Sequence, residues 1–120
     1  MELQVGVRTD GGVSVVDVAG EVDLYTTPRL EEALARAAAG TPPLIVVNLT
    51  HTTYLDSTAL RVLTAARKRV REREGDIALV STQPKIAKLL SITGLDQLFP
   101  LCATEGEALH KVRGHSPGGP

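Results

Sequence analysis

The residues best suited to chemistry cluster in one short stretch, Asp56-Ser57-Thr58, between a strand-like run and an amphipathic helical segment. Asp, Ser and Thr cap helix N-termini by accepting hydrogen bonds from unpaired backbone N–H groups, so the simplest role for Asp56 or Ser57 is a cap contributing about 1 kcal/mol. The corner also suits a second chemistry. A hydroxyl placed there lies beside orphan donors and the positive end of the helix dipole, so the fold tolerates a phosphate on it. Such a phosphate adds about −1.5 to −2 charges and three acceptor oxygens next to Asp56, and it repels a partner whose contacting groups are acidic or apolar.

Other constellations are weaker. A serine nucleophile wants an exposed elbow such as Gly-x-Ser-x-Gly and a histidine base, whereas Ser57 sits in Leu55-Asp56-Ser57-Thr58-Ala59 with His51 nearby. His110 and His115 lie close to the C-terminal end, and no histidine pair has metal-ligand spacing on one helix face, so no metal site is expected. No Gly-x-x-x-x-Gly-Lys-Ser/Thr phosphate loop occurs. The single Cys102 cannot form an internal bridge and reads as a small apolar filler in a reducing compartment. Neither catalytic residues nor a cofactor are expected.

The elements that must position the corner follow from hydrophobic periodicity. Leu3, Val5 and Val7 alternate with polar or small residues, Asp10-Gly11-Gly12 makes a turn, and Val13 to Ala19 is β-rich, which predicts a hairpin. Thr27 and Pro28 read as a cap followed by proline at the first helical position, ahead of Leu30, Ala33, Leu34 and Ala37, with the helix ending near Gly40. The continuous apolar run Leu44-Ile45-Val46-Val47 predicts a strand covered on both faces.

After the Asp-Ser-Thr corner, Leu60, Leu63, Ala66 (or Arg67) and Val70 form the apolar stripe of a second helix ending near Gly75. Its terminal run Arg67-Lys68-Arg69-Val70-Arg71-Glu72-Arg73-Glu74 reads as a solvated face whose cations suit a helix C-terminus. Ile77 to Val80 is a further buried strand, Pro84 opens a helix carrying Ile86, Leu89 and Leu90, and Gly94 stops it. Thr104 and Glu107 have capping-box spacing before Ala108, Leu109 and Val112. The expected fold is α/β, one domain over residues 1–113, with a mixed sheet of four to five strands and about four helices. Residues 114–120, Gly-His-Ser-Pro-Gly-Gly-Pro, offer almost nothing to bury and are expected to form a flexible tail.

Composition excludes several function classes. At 120 residues and 42% apolar content the chain can bury a core without disulfides or metal. Thirteen Lys and Arg against fourteen Asp and Glu leave a net charge of −1, which gives no global attraction to nucleic acid or an acidic membrane. Its three aromatic residues, Tyr25, Tyr54 and Phe99, are too few for stacking single-stranded nucleic acid. No apolar run has membrane-spanning length, and Met1 to Thr9 lacks the pattern of a secretion signal, so a cytoplasmic protein with no membrane contact is expected.

Three segments in order carry a resemblance: Gly20-Glu21-Val22-Asp23-Leu24-Tyr25-Thr26-Thr27-Pro28-Arg29-Leu30, Tyr54-Leu55-Asp56-Ser57-Thr58-Ala59-Leu60-Arg61-Val62-Leu63 and Thr93-Gly94-Leu95-Asp96-Gln97-Leu98-Phe99. Together they resemble the STAS domains of bacterial anti-sigma factor antagonists, over nearly the whole chain to about residue 112. The resemblance implies a non-enzymatic module that binds an anti-sigma factor with serine kinase activity and so frees a sigma factor. Phosphorylation of the serine after the motif aspartate, Ser57 here, reverses binding, and a serine phosphatase restores it. The resemblance places Asp23, Thr26, Asp56, Ser57, Thr58, Ala59 and Leu60 in the partner surface. The family's usual glycine is Ala59 in this chain, and its added Cβ is expected to crowd a partner that approaches the backbone closely. Alternatives from other classes are a scaffold or sensor STAS subunit of a larger signalling assembly, and a nucleotide-binding or hydrolysing protein with phosphate at the second helix's N-terminus.

Overall fold

A computed structural model describes residues 2–114. The expected tail therefore lies, apart from Gly114, outside the described residues. Five strands form one sheet in the order β1-β2-β3-β4-β5, comprising β1 (Gln4–Asp10), β2 (Val13–Val22), β3 (Leu44–Leu55), β4 (Asp76–Val80) and β5 (Leu101–Cys102). β1 pairs antiparallel with β2, and every later neighbour is parallel. The hairpin turn works because Gly11 and Gly12 both take positive φ, 53° and 85°, the backbone that matches strand twist in a two-residue loop.

The four α-helices are α1 (Thr27–Ala37), α2 (Ser57–Glu72), α3 (Pro84–Thr93) and α4 (Glu105–Arg113), and a 3₁₀ turn covers Leu95–Gln97. The predicted stripes are the buried ones: Leu30, Ala33, Leu34 and Ala37 on α1, and Leu60, Leu63, Ala66 and Val70 on α2. Together with Ile86 and Leu90 of α3 they meet Val16, Ile45, Val47 and Leu79 in the larger core on the front of the sheet. α4 supplies Ala108, Leu109 and Val112 to a second core behind it, against Val13, Val15, Val46 and Ala78. Ile45 and Val47 thus face one core and Val46 the other, which explains the unbroken apolar run of β3. No described helix is long and apolar enough to cross a membrane.

The cap of α1 and the end of β3 differ from the expectation, whereas α2 ends near Gly75 as expected. Thr27 is not the cap of α1 but its first residue; Thr26 occupies the cap position without a side-chain cap bond, and the buried Thr27 hydroxyl donates to the Asp23 carbonyl. α2 closes with Glu74 in the left-handed region, φ 62°, and the Gly75 N–H donating to the Val70 carbonyl at 2.7 Å. Glycine at 75 answers a packing need, since a Cβ there would stand 2.0 Å from the Pro43 carbonyl oxygen. β3 continues eight residues past Val47 to Leu55, its edge groups matched by β2 through Val22 across two register shifts. Threonine and tyrosine sustain the extended backbone where the apolar run has stopped.

Candidate partner-binding corner

Parallel pairing of β2 with β3 delivers both motif segments to the same place. Val22 lies opposite Leu55, and the Asp56 N–H donates to the Val22 carbonyl at 3.1 Å, so the β2–α1 loop and the start of α2 sit side by side beyond the strand C-termini.

The β2–α1 loop is tied by one carboxylate oxygen. Asp23 Oδ1 accepts from the Tyr25 N–H at 2.9 Å, the Thr26 N–H at 3.0 Å and the Thr26 hydroxyl at 3.1 Å. The Thr26 oxygen in turn accepts from the Asp23 N–H at 2.9 Å and lies 3.1 Å from the Glu21 carbonyl. Donation from the Thr26 N–H, then from Tyr25 and the Thr26 hydroxyl, favours the ionised form and holds the Asp23 carboxyl below its usual value. This knot turns the chain from strand to helix and thrusts Leu24 and Tyr25 outward, 63% and 87% exposed.

At the second loop Asp56 is the N-cap of α2. Its backbone is extended, φ −99° and ψ −177°, and its side chain accepts from the Ala59 N–H at 3.0 Å. Ser57 is the first helical residue and exposed, and its hydroxyl makes no hydrogen bond among the described residues. Thr58 is half-buried. A free hydroxyl in solvent at the helix start is geometrically open to an incoming phosphoryl donor.

The remaining expected site residues lie deeper. Ala59 is fully buried and Leu60 is 7% exposed, both packed in the front core. The Ala59 Cβ therefore fills core volume and does not project toward a partner, which corrects the steric expectation. Leu60 supports the corner from beneath. Asp23, Asp56, Ser57 and Thr58 are gathered as expected, with Thr26 committed to the turn. His51 lines a hollow of about 400 Å³ on the sheet, with Gly6, Asp17, Ala19 and Asn48, and makes no hydrogen bond with Ser57. The histidine and serine form no dyad. Cys102 is buried, and that burial pushes its thiol up.

Sequence reasoning missed the apolar part of the corner. Tyr54, 48% exposed at the end of β3, stands opposite Glu21, one strand away from the loop bearing Leu24 and Tyr25. Two of the three aromatic residues in the chain are thus spent on solvent, and only Phe99 serves the core. Their scarcity, together with their places inside the two motif segments, was the available signal.

The chain matches the model of the STAS domain over residues 4–108. It is 36% identical over 90 residues to an anti-sigma-B factor antagonist of Listeria monocytogenes, covering 75% of this chain and 79% of that protein. It is 31% identical over 112 residues to the anti-sigma-F factor antagonist RsfB of Mycobacterium tuberculosis, covering 93% and 91%. The crystal structure of an anti-sigma factor antagonist from Mycobacterium paratuberculosis superimposes with a TM-score of 0.85 at 35% identity, over 93% of this chain and 95% of the other. These relatives are named as regulatory proteins, their fold is the one described above, and this chain belongs to the STAS domain family.

Proposed function

We propose that this protein is an anti-sigma factor antagonist: it binds an anti-sigma factor with serine kinase activity, releases the sigma factor, and is switched off by phosphorylation of Ser57. The observation that carries the reading is the exposed, unbonded Ser57 hydroxyl at the start of α2, capped by Asp56 and flanked by the Asp23 turn. Relatives covering most of the chain at 31–36% identity, each named as an antagonist of an anti-sigma factor, support it.

The contact surface in this reading comprises Leu24 and Tyr25 with Asp23 and Thr26 behind them, Tyr54, and the Asp56-Ser57-Thr58 corner. Exposed tyrosines are suited to bury area at low conformational cost, and the acidic groups set the register of an approaching chain. The γ-phosphoryl group of ATP held by the kinase passes to the Ser57 oxygen, ADP leaves, and the serine proton goes to a base on the kinase. The product carries its new charge beside Asp56, so an apolar or acidic kinase surface is repelled after turnover. A serine phosphatase hydrolyses the ester and restores binding. The setting is the cytoplasm, where sigma factors act.

The test is incubation of the protein with its captured kinase partner and ATP, followed by site mapping with mass spectrometry. Phosphate on Ser57, lost in Ser57→Ala, is expected. Phosphate on Thr58 instead, or on neither residue while the kinase is active, sinks the assignment. Ser57→Asp should weaken partner binding incompletely, since a carboxylate has less charge and fewer acceptors than a phosphate.

A further inference from the structure

We propose that Arg61 is an intramolecular clamp for a phosphate on Ser57, so that modification both adds charge to the corner and withdraws the first cation of α2 from it. The inference rests on the switch reading of Ser57 and assigns a role to a residue outside the expected contact set. Ser57 and Arg61 are both exposed and stand four residues apart on α2, one turn along a common face. Residues at that spacing have Cβ atoms roughly 5–6 Å apart, and helical side chains lean toward the N-terminus, so the guanidinium is within reach of a phosphate on the serine.

Arg61 is free to make this contact. It has no hydrogen bond or ion pair among the described residues, unlike Arg67, which donates to the Leu98 carbonyl at 2.8 Å, Arg71, which faces Asp76 at 3.5 Å, and Arg73, which donates to the Ala38 carbonyl at 2.6 Å. It is also the first cation on the helix, since 58–60 are Thr, Ala and Leu and 62–64 are Val, Leu and Thr. An arginine fork matches the geometry of a phosphate and can bond two of its oxygens. Before modification the same guanidinium is available to a carboxylate on the kinase partner. Afterwards the phosphate, tethered one turn away, outcompetes it.

The test places phosphoserine at position 57 during translation, which makes it independent of any kinase. The second ionisation of the phosphate is followed by ³¹P NMR titration in the Arg61 protein, in Arg61→Gln and in Arg61→Lys. Asp56 and Asp23, the acidic neighbours, and Lys85 at the α3 start are common to all three. An arginine contact lowers the phosphate pKa by about 0.2–0.4 relative to Arg61→Gln, with Arg61→Lys between them, and the gap narrows in high salt. Coincident titrations of the Arg61 and Gln proteins overturn the clamp even if Ser57 is the kinase's target. Failure of a kinase to modify Ser57, with the NMR shift present, overturns the switch reading instead.

Discussion

The proposed partner-binding corner and the junction of α4 with the sheet handle polar groups in opposite ways. At the α4 junction charges neutralise one another. Arg8 holds Asp17 through two bonds of 2.7 and 3.1 Å and also bonds Glu105, while Asn48 donates to Glu105 at 3.1 Å. Arg113 closes the far end of the helix on Asp10 at 2.9 Å. At the corner the Ser57 hydroxyl and the Arg61 guanidinium have no partner among the described residues, and Leu24, Tyr25 and Tyr54 are exposed. A closed network has little left to gain from a second protein. Unbonded polar groups beside exposed aromatic area can gain both burial and hydrogen bonds, which favours the corner as the proposed contact surface and leaves the junction to the attachment of α4.

The largest effect expected from breaking this contrast is on binding. Leu24→Ala with Tyr25→Ala should weaken partner affinity by about 2 kcal/mol, near thirtyfold, with an unchanged thermal midpoint, because neither side chain supports the core. Calorimetric titration and thermal melts check both halves, and a fall in stability without a fall in affinity would assign the loop to folding alone.

Ala59→Gly comes next and acts on stability. Loss of a buried methyl and of helix preference near an end should cost about 1–1.5 kcal/mol in denaturant melts. The rate of Ser57 phosphorylation at saturating kinase should not change, since the removed Cβ lies in the core. A faster rate would restore the steric role that burial argues against.

Glu105→Gln should lower stability by at most about 1 kcal/mol, because its pairs with Arg8 and Asn48 are partly solvated, and should leave partner affinity alone. A comparable loss of affinity would mean that the two regions are coupled through the sheet.

The smallest effect is in the acid limb of the stability curve. Arg8 and then Asn48 hold the Glu105 carboxyl below its usual value, and the Thr26 and Tyr25 donors do the same for Asp23. For a carboxyl depressed on folding, the stabilisation is complete above the unfolded value, near 4, and disappears as pH falls through the lower folded value. Glu105→Gln should therefore flatten the acid limb, and Asp23→Asn should do likewise while retaining the Oδ1 acceptor. Asp23→Ala, which removes that acceptor from three bonds, should melt lower than Asp23→Asn. Equal melting of the two would separate the carboxylate from the turn.

The sequence by itself determined the elements and their faces. The stripes on α1 and α2, a cap in the Asp56-Ser57 pair that the structure assigns to Asp56, the Thr104 hydroxyl accepting from the Glu107 N–H and the left-handed Gly94 closing α3 all depend on residues within one or two turns of each other. Local periodicity and capping are short-range physics, so they are legible in one dimension. The family resemblance added which serine to watch, because its motif is also a local string.

Only the tertiary structure decided what that string faces. Whether Ala59 points to a partner or into the core depends on the helix rotation fixed by the packing of Leu60, Leu63 and Ala66 on the sheet. Whether Tyr25 and Tyr54 fill the core or meet solvent depends on β2 and β3 ending together, which is set by pairing between residues more than thirty positions apart. Glycine is needed at 75 for the room the Pro43 carbonyl takes beside it and not for a left-handed backbone, which falls on Glu74 instead. Hydrophobic burial is non-directional, so composition selects what is buried on average, and the long-range contacts select which particular side chains are left out.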